Sequence, residues 1–280
     1  MNENALQEAA EAIQGAQALL IGAGAGMGVD SGLPDFRGNE GFWKAYPPYQ
    51  KLGLDFVSLA NPRWFRDDPT LAWGFYGHRL NLYRKTRPHD GFRILLNWSR
   101  RMRHGSFVFT SNVDGHFQRA GFAIDRVMEV HGTFEKMQCI RCETGLISSD
   151  GMQVTVDETT MRACEPLPAC PGCSALIRPN ILMFGDWEWD GSRTAEQESQ
   201  LRAWLRDAGS LPMAIVECGA GTAIPTVRYF CKQVAGHPQR KLIRINVREP
   251  EVPKGHISLA VGALQGLRAI DERLATESRN

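Results

Sequence analysis

Ala18-Leu-Leu-Ile-Gly-Ala-Gly-Ala-Gly-Met-Gly28 runs from an unbroken apolar stretch into a loop in which every second residue is glycine. An apolar run that stops at glycine predicts a strand buried on both faces and a tight turn at its carboxyl end. Glycine lets a backbone approach a phosphate closely and leaves amides to bind it. The dinucleotide fingerprint G-x-G-x-x-G is not met, because Met27 or Val29 falls where the third glycine belongs. A dehydrogenase is therefore disfavoured, and a plain turn stays open as the bland alternative.

The same signature recurs outward from this stretch. Short apolar runs end in polar or glycine loops at residues 107–109, 127–130, 181–184, 214–216 and 242–245. Helical spacing lies between several of them, as in Phe92, Leu95, Leu96, Trp98 and Met102. Alternation of this kind predicts a doubly wound parallel α/β sheet, Rossmann-like, with its ligands beyond the carboxyl ends of the strands. Two stretches depart from it. Residues 38–87 are aromatic-rich and predict a helical insertion, and residues 136–176 carry paired cysteines and predict a small metal-stapled module. The expected organisation is then a Rossmann-like domain over 1–37, 88–135 and 177–280, interrupted twice.

Composition narrows the function classes. The chain has 280 residues, with 32 Lys plus Arg against 31 Asp plus Glu, and a formal net charge of +1. That balance gives no electrostatic footprint of a nucleic-acid binder. No basic, apolar leader precedes the first strand and no apolar run approaches the roughly 20 residues that a membrane span needs. A protein of the cytoplasm, off the membrane, is expected. The seven cysteines are an odd number, which argues against a disulfide framework.

Four of them form Cys139-x-x-Cys142 and Cys170-x-x-Cys173, two chelating hairpins suited to one tetrahedral Zn2+. Four thiolates leave no open position, so the zinc is expected to be structural. Cys164 lies in the gap as a spare or alternative ligand, and Cys218 and Cys231 are expected in the core. His131 directly follows an apolar run and precedes Gly132, at the edge where this architecture does its chemistry, and its near-neutral pKa suits a general base. His78 and His116 are expected to be structural. Asn112 and Asp114 follow another strand end, where the bland alternative is a helix cap. Tyr76 and Arg79 are three apart and share a helix face, either as a carboxylate-binding pair or as part of an ordinary amphipathic helix.

Gly24-Ala-Gly-Met-Gly-Val-Asp-Ser-Gly-Leu-Pro-Asp-Phe-Arg-Gly38 resembles the cofactor loop of the sirtuins, the NAD-dependent protein deacylases. The resemblance recurs in order through Thr110-Ser-Asn-Val-Asp114, Glu129-Val-His-Gly132, the cysteine pairs, Arg178-Pro-Asn-Ile-Leu-Met-Phe-Gly185, the 219–222 loop and Ile245-Asn246. It implies an enzyme that releases nicotinamide and acyl-ADP-ribose from NAD and an acylated lysine in a protein or peptide. It implies His131 as general base, with Asn112 and Asp114 at the nicotinamide end. Ala25, Gly26, Asp35, Phe36, Arg37, Ser111, Gly219, Gly221 and Asn246 are implied as further cofactor contacts, and Phe184 and Gly185 as the strand that binds substrate. A Tyr-x-x-Arg pair in this region marks the family's desuccinylase and demalonylase branch, which implies Tyr76 and Arg79 as acyl-pocket residues beside the default deacetylase. Departures cluster at the cofactor: Ser111 for the family's Gln, Gly28 for a Ser, Phe117 for a His, Ala263 for an Asp. They keep an ADP-ribosyltransferase or NAD hydrolase, or a catalytically silent NAD-binding protein, as alternatives.

Overall fold

The computed structural model describes residues 2–34 and 38–277. Its strands are β1 (Ala18–Ala23), β2 (Ser106–Thr110), β3 (Val127–Glu129), β4 (Gly132–Cys139), β5 (Ile147–Ser148), β6 (Val156–Asp157), β7 (Arg162–Ala163), β8 (Ile177–Ile181), β9 (Met213–Cys218), β10 (Arg240–Ile245) and β11 (Ile257–Leu259). Six of them form one sheet in the order β11-β10-β9-β1-β2-β3, every neighbour parallel. This is the doubly wound order in which the chain turns back at β1, and its switch point lies between β1 and β9.

Alternate residues of each strand feed two cores. Leu19 and Ile21 join Val108, Val216 and Ile243 beneath the helices Glu3–Gln14, Asp90–Arg101 and Ala263–Glu277. Ala18 and Leu20 join Phe107, Ile215 and Leu242 beneath Ser192–Ala208 and Thr226–Val234. Period-two alternation with both sides apolar is what a sheet covered on both faces requires.

A third core fills the rest. Residues 38–85 contribute a run of short helices and one long one, Pro69–Lys85, whose first turn is capped by Asp68 accepting from Leu71 N at 3.1 Å. Phe42, Tyr49, Trp73, Phe75 and Tyr76 of this insertion pack with Phe134, Met137 and Ile177 of a small sheet ordered β5-β4-β8. β4 and β8 are antiparallel.

The apolar run 181–184 is not a strand of the parallel sheet. β8 ends at Ile181 and belongs to the small sheet. The polar residues Arg178 and Asn180, both buried, hide that strand from a reading based on apolar runs. Apolar runs also leave β11 unmarked, because Ser258 interrupts a short stretch. Among the described residues no helix is long and apolar enough to cross a membrane.

Candidate functional site

The loops after β1 and β9 meet at the switch point. Gly24 N donates to Cys218 O and Gly26 N to Gly219 O, both at 3.0 Å. Gly219 has φ +62°, and a Cβ there would lie 2.4 Å from Met27 N, so only glycine closes this junction. The glycine pattern predicts amides left over for a ligand, but those of Gly24, Gly26, Met27 and Gly28 all pair inside the protein. What the glycines provide here is close approach between loops.

Beside this junction a cavity of about 160 Å³ is lined by Gly26, Gly219, Asn246, Asp30, Arg248 and Gly262, among others. Asn246 holds it open, donating to Ala220 O at 2.8 Å and accepting from Arg248 N and Glu249 N at 3.1 Å. Asp30 caps the last helix by accepting from Leu264 N at 2.8 Å. Glu249 accepts from Thr222 N at 3.0 Å and clamps the 219–225 loop to the 246–252 loop. Asp30, Arg248 and Glu249 were missed by sequence reasoning, because no local pattern marks them and the cavity is assembled from loops far apart in the chain. Ala25 and Gly221 sit in the same loops without lining the cavity. Asp35, Phe36 and Arg37 lie outside the described residues.

The second half of the edge is built on β2 and β3. Thr110 Oγ1 donates to Ala23 O, and Asn112 Nδ2 donates to Gly24 O, each at 3.0 Å, so Asn112 ties the β2 loop to the glycine loop. Asp114 is buried, and its Oδ1 accepts from His116 N at 2.9 Å. It therefore does cap the following turn, with its Oδ2 on the side of Gly28.

His131 leaves β3 one residue beyond Val130, whose N–H donates to Thr110 O at 2.9 Å. Gly132 has φ +77°, and a Cβ there would strike Asn180 O at 2.0 Å, so the chain can turn from β3 into β4 only at glycine. The His131 carbonyl accepts from Leu182 N at 3.0 Å, which fixes the residue from the other side. Burial pushes the imidazole pKa below its usual value, opposed by a hydrogen bond to the Ser111 backbone. The shift favours the neutral form of the ring. Behind it Glu129 is fully buried and paired with Arg193 at 2.5 Å. His116, with a fully buried ring against Phe92, is a core residue.

Tyr76 and Arg79 fall together on the buried side of helix Pro69–Lys85. The Arg79 guanidinium donates to Tyr83 OH at 2.9 and 3.1 Å and lies over Phe75 (5.1 Å), Phe134 (5.4 Å) and Phe56 (6.0 Å). Phe56 meets Phe184 edge-on at 6.1 Å, so the ring cluster reaches from Arg79 to the candidate substrate strand. Phe184 is exposed, and its N–H is already donated to Ala60 O at 2.9 Å. Gly185 follows with φ +69°.

Cys139, Cys142, Cys170 and Cys173 place their Sγ atoms within 4.8 Å of one another, with 3.6 Å between Cys139 and Cys173 and between Cys142 and Cys170. Four thiolates about 2.3 Å from a tetrahedral Zn2+ stand about 3.8 Å apart, so the donor set fits one structural zinc. Cys164 is exposed and outside the cluster, and Cys218 and Cys231 are buried.

The Sir2 family model matches residues 24–202. A protein of Thermus thermophilus named NAD-dependent protein deacylase is 29% identical over 94% of this chain and 92% of its own length. One of the same name from Aeropyrum pernix is 30% identical over 77% of this chain and 83% of its own. Among solved structures, a Sir2 homologue in complex with NAD superposes with a TM-score of 0.67 at 23% identity, over 99% of this chain and 95% of that one. With the model matching more than half of its residues, this chain belongs to the Sir2 family.

Proposed function

We infer that this chain is an NAD-dependent protein deacylase, as its relatives in the family are named, and that it acts on acylated lysine. The observation that carries the chemistry is His131: a half-buried imidazole at the carboxyl end of β3, bonded to the Ser111 backbone beside Asn112 and Asp114, its pKa pushed down by burial toward the neutral form.

The residues present suit NAD. The switch point, the close junction at Gly219 and the cavity beside Asn246 and Asp30 together make a cleft at the edge where such sheets take dinucleotides. When bound, NAD supplies a ribose carbon from which nicotinamide departs and which takes over the acyl oxygen. Ala25, Gly26, Gly219, Gly221 and Asn246 hold its adenosine and phosphate end. Asn112 and Asp114 orient the nicotinamide end. Ser111, shorter than the family's Gln, reaches the ribose through a water. Neutral His131 accepts a proton from a ribose hydroxyl at its ring nitrogen. The acylated chain pairs with the backbone near Phe184 and Gly185, where the Leu182 and Phe184 N–H groups are already taken within the protein and carbonyls are what the segment offers, and backbone pairing makes that recognition tolerant of sequence.

Tyr76 and Arg79 mark the acyl end of the site, within the ring cluster that includes Phe56, Phe75 and Phe134. A guanidinium in so apolar a setting favours an acyl group that ends in a carboxylate, by a fork of charge-assisted hydrogen bonds. A reducing cytoplasm, which keeps four thiolates available to zinc, completes the reading.

The test is nicotinamide release with and without an acyl-lysine peptide, with the NAD product identified by mass spectrometry. Peptide-dependent release and acyl-ADP-ribose are expected. Free ADP-ribose or labelled protein would mean hydrolysis or ADP-ribosyl transfer, which the departures at Ser111, Gly28 and Phe117 favour. NAD binding without any release would mean a silent binding protein.

A further inference from the structure

Residues 186–190, Asp-Trp-Glu-Trp-Asp, connect the candidate substrate strand to helix Ser192–Ala208. The loop is gripped from beneath. Asp186 forms a buried, two-pronged ion pair with Arg178 of β8, at 2.6 and 2.9 Å. Gln138 of β4 donates to the Glu188 carbonyl at 2.8 Å and accepts from Asp190 N at 3.2 Å. Asn180 donates to the Asp190 carbonyl at 2.9 Å. Trp189 turns inward and lies over Gly191. Trp187, between these anchors, is 96% exposed. Leu182 and Phe184, alternate residues of the preceding segment, are exposed as well. An indole held in water by a loop that cannot fold over it is a presented surface, and apolar surface beside a binding strand marks an interaction site.

We propose that Trp187 and Glu188 select substrate by binding a long cationic side chain, lysine or arginine, on the chain that flanks the acylated lysine. The proposal rests on the deacylase reading and names a specificity element within it. An indole face is the best aromatic partner for a cation. The alkyl stem of lysine or arginine suits the exposed apolar side chains of the preceding segment, Leu182 and Phe184. Glu188 supplies a carboxylate one residue from the indole. Its partner Arg66 stands at 3.0 Å, and both side chains are more than half exposed, 57% for Arg66 and 61% for Glu188. A pair so exposed is weak, so a substrate cation exchanges for Arg66 at little cost. Asp190 adds negative charge to the same loop, so an acidic flanking residue is disfavoured.

The experiment uses the intact protein and peptides of one sequence that carry a single acyl-lysine with Arg, Gln or Glu two residues away. Binding is read by fluorescence anisotropy without NAD, and turnover by nicotinamide release with it. The Arg peptide is expected to bind about three-fold more tightly than the Gln peptide, with Glu weakest, and the difference to appear in KM. Trp187→Ala should erase the Arg-to-Gln ratio and Trp187→Phe should keep part of it, a ratio that a general loss of fold or activity does not move. Equal affinity of the wild type for the Arg and Gln peptides, or an unchanged ratio in Trp187→Ala, overturns the proposal. A binding preference that depends on Trp187, with no turnover of any peptide, supports the surface and overturns the deacylase reading alone.

Discussion

The six-stranded parallel sheet and the small β5-β4-β8 sheet both lie inside the protein, and they are filled in different proportions. Most strand residues of the parallel sheet alternate between two apolar cores, with Leu19 and Ile21 facing one and Ala18 and Leu20 the other, and its buried charges are confined to the ion pairs Glu217–Arg244 and Glu129–Arg193 near the strand ends. The small sheet buries Thr133, Gln138, Arg178 and Asn180 within its two longer strands. Its interior is a polar network in which Asn180 donates to Gln138 at 3.0 Å and Arg178 grips Asp186. Such a network is secure only when every member is satisfied. A sheet filled this way gains less from apolar burial, and the four cysteines at its far end supply what it lacks. His131 stands where one region passes into the other, between β3 and β4.

The comparison predicts that metal loss strikes one region first. Structural zinc sites in small peptides carry about 10–16 kcal/mol of binding free energy, much of it coupled to folding. Cys170→Ser should lower zinc content from about one per chain and melting temperature together. Hydrogen exchange should open β4, β5 and β8 while β1 and β9 stay protected. Uniform opening of both sheets would mean that they form a single cooperative unit, and absence of zinc in the intact protein would remove the metal altogether.

The next effect falls at the junction. His131→Ala should lower deacylation by about 10²–10⁴, the usual weight of a general base, and leave NAD affinity within a few-fold. The pH profile sharpens the assignment. Burial lowers the imidazole pKa below 6.5, so the reactive neutral form persists into mildly acid solution. The acid limb of kcat/KM should therefore lie below pH 6.5 and be lost in the variant. A limb unchanged in His131→Ala would assign the titration, and the base, to another group.

The same contrast explains what the sequence made legible. In the parallel sheet, burial on both faces is written as apolar runs, and the runs before Gly22, Thr110 and Gly219 locate strand ends and hence the site. The cysteine spacing is just as local. The small sheet was hidden because Arg178 and Asn180 look like surface residues until Asp186 and Gln138 are known to satisfy them. The cavity beside Asn246 was only half visible, since Asp30 reaches it by capping a helix that begins at Ala263. Local pattern reports what a segment buries, and a partner far along the chain leaves no mark in it.

The smallest effect tests the insertion, which packs against the polar sheet and shares its habit of burying charge. Arg79 is 7% exposed and Tyr76 1%. A charge-assisted hydrogen bond from such a guanidinium to an acyl carboxylate contributes about 1.5–3 kcal/mol. That is roughly a 10–150-fold preference in kcat/KM for succinyl-lysine over acetyl-lysine. Arg79→Met keeps the length and the packing against Phe75 and Phe134 but removes the fork. It should cost most of the succinyl activity and leave acetyl activity level or raised. Equal losses on both substrates would return Arg79 to a packing role, with Tyr83 as the partner that matters. A wild-type enzyme that strongly prefers acetyl would do the same to Tyr76, and would make the buried charge of the insertion, like that of the small sheet, a device for holding the fold in register.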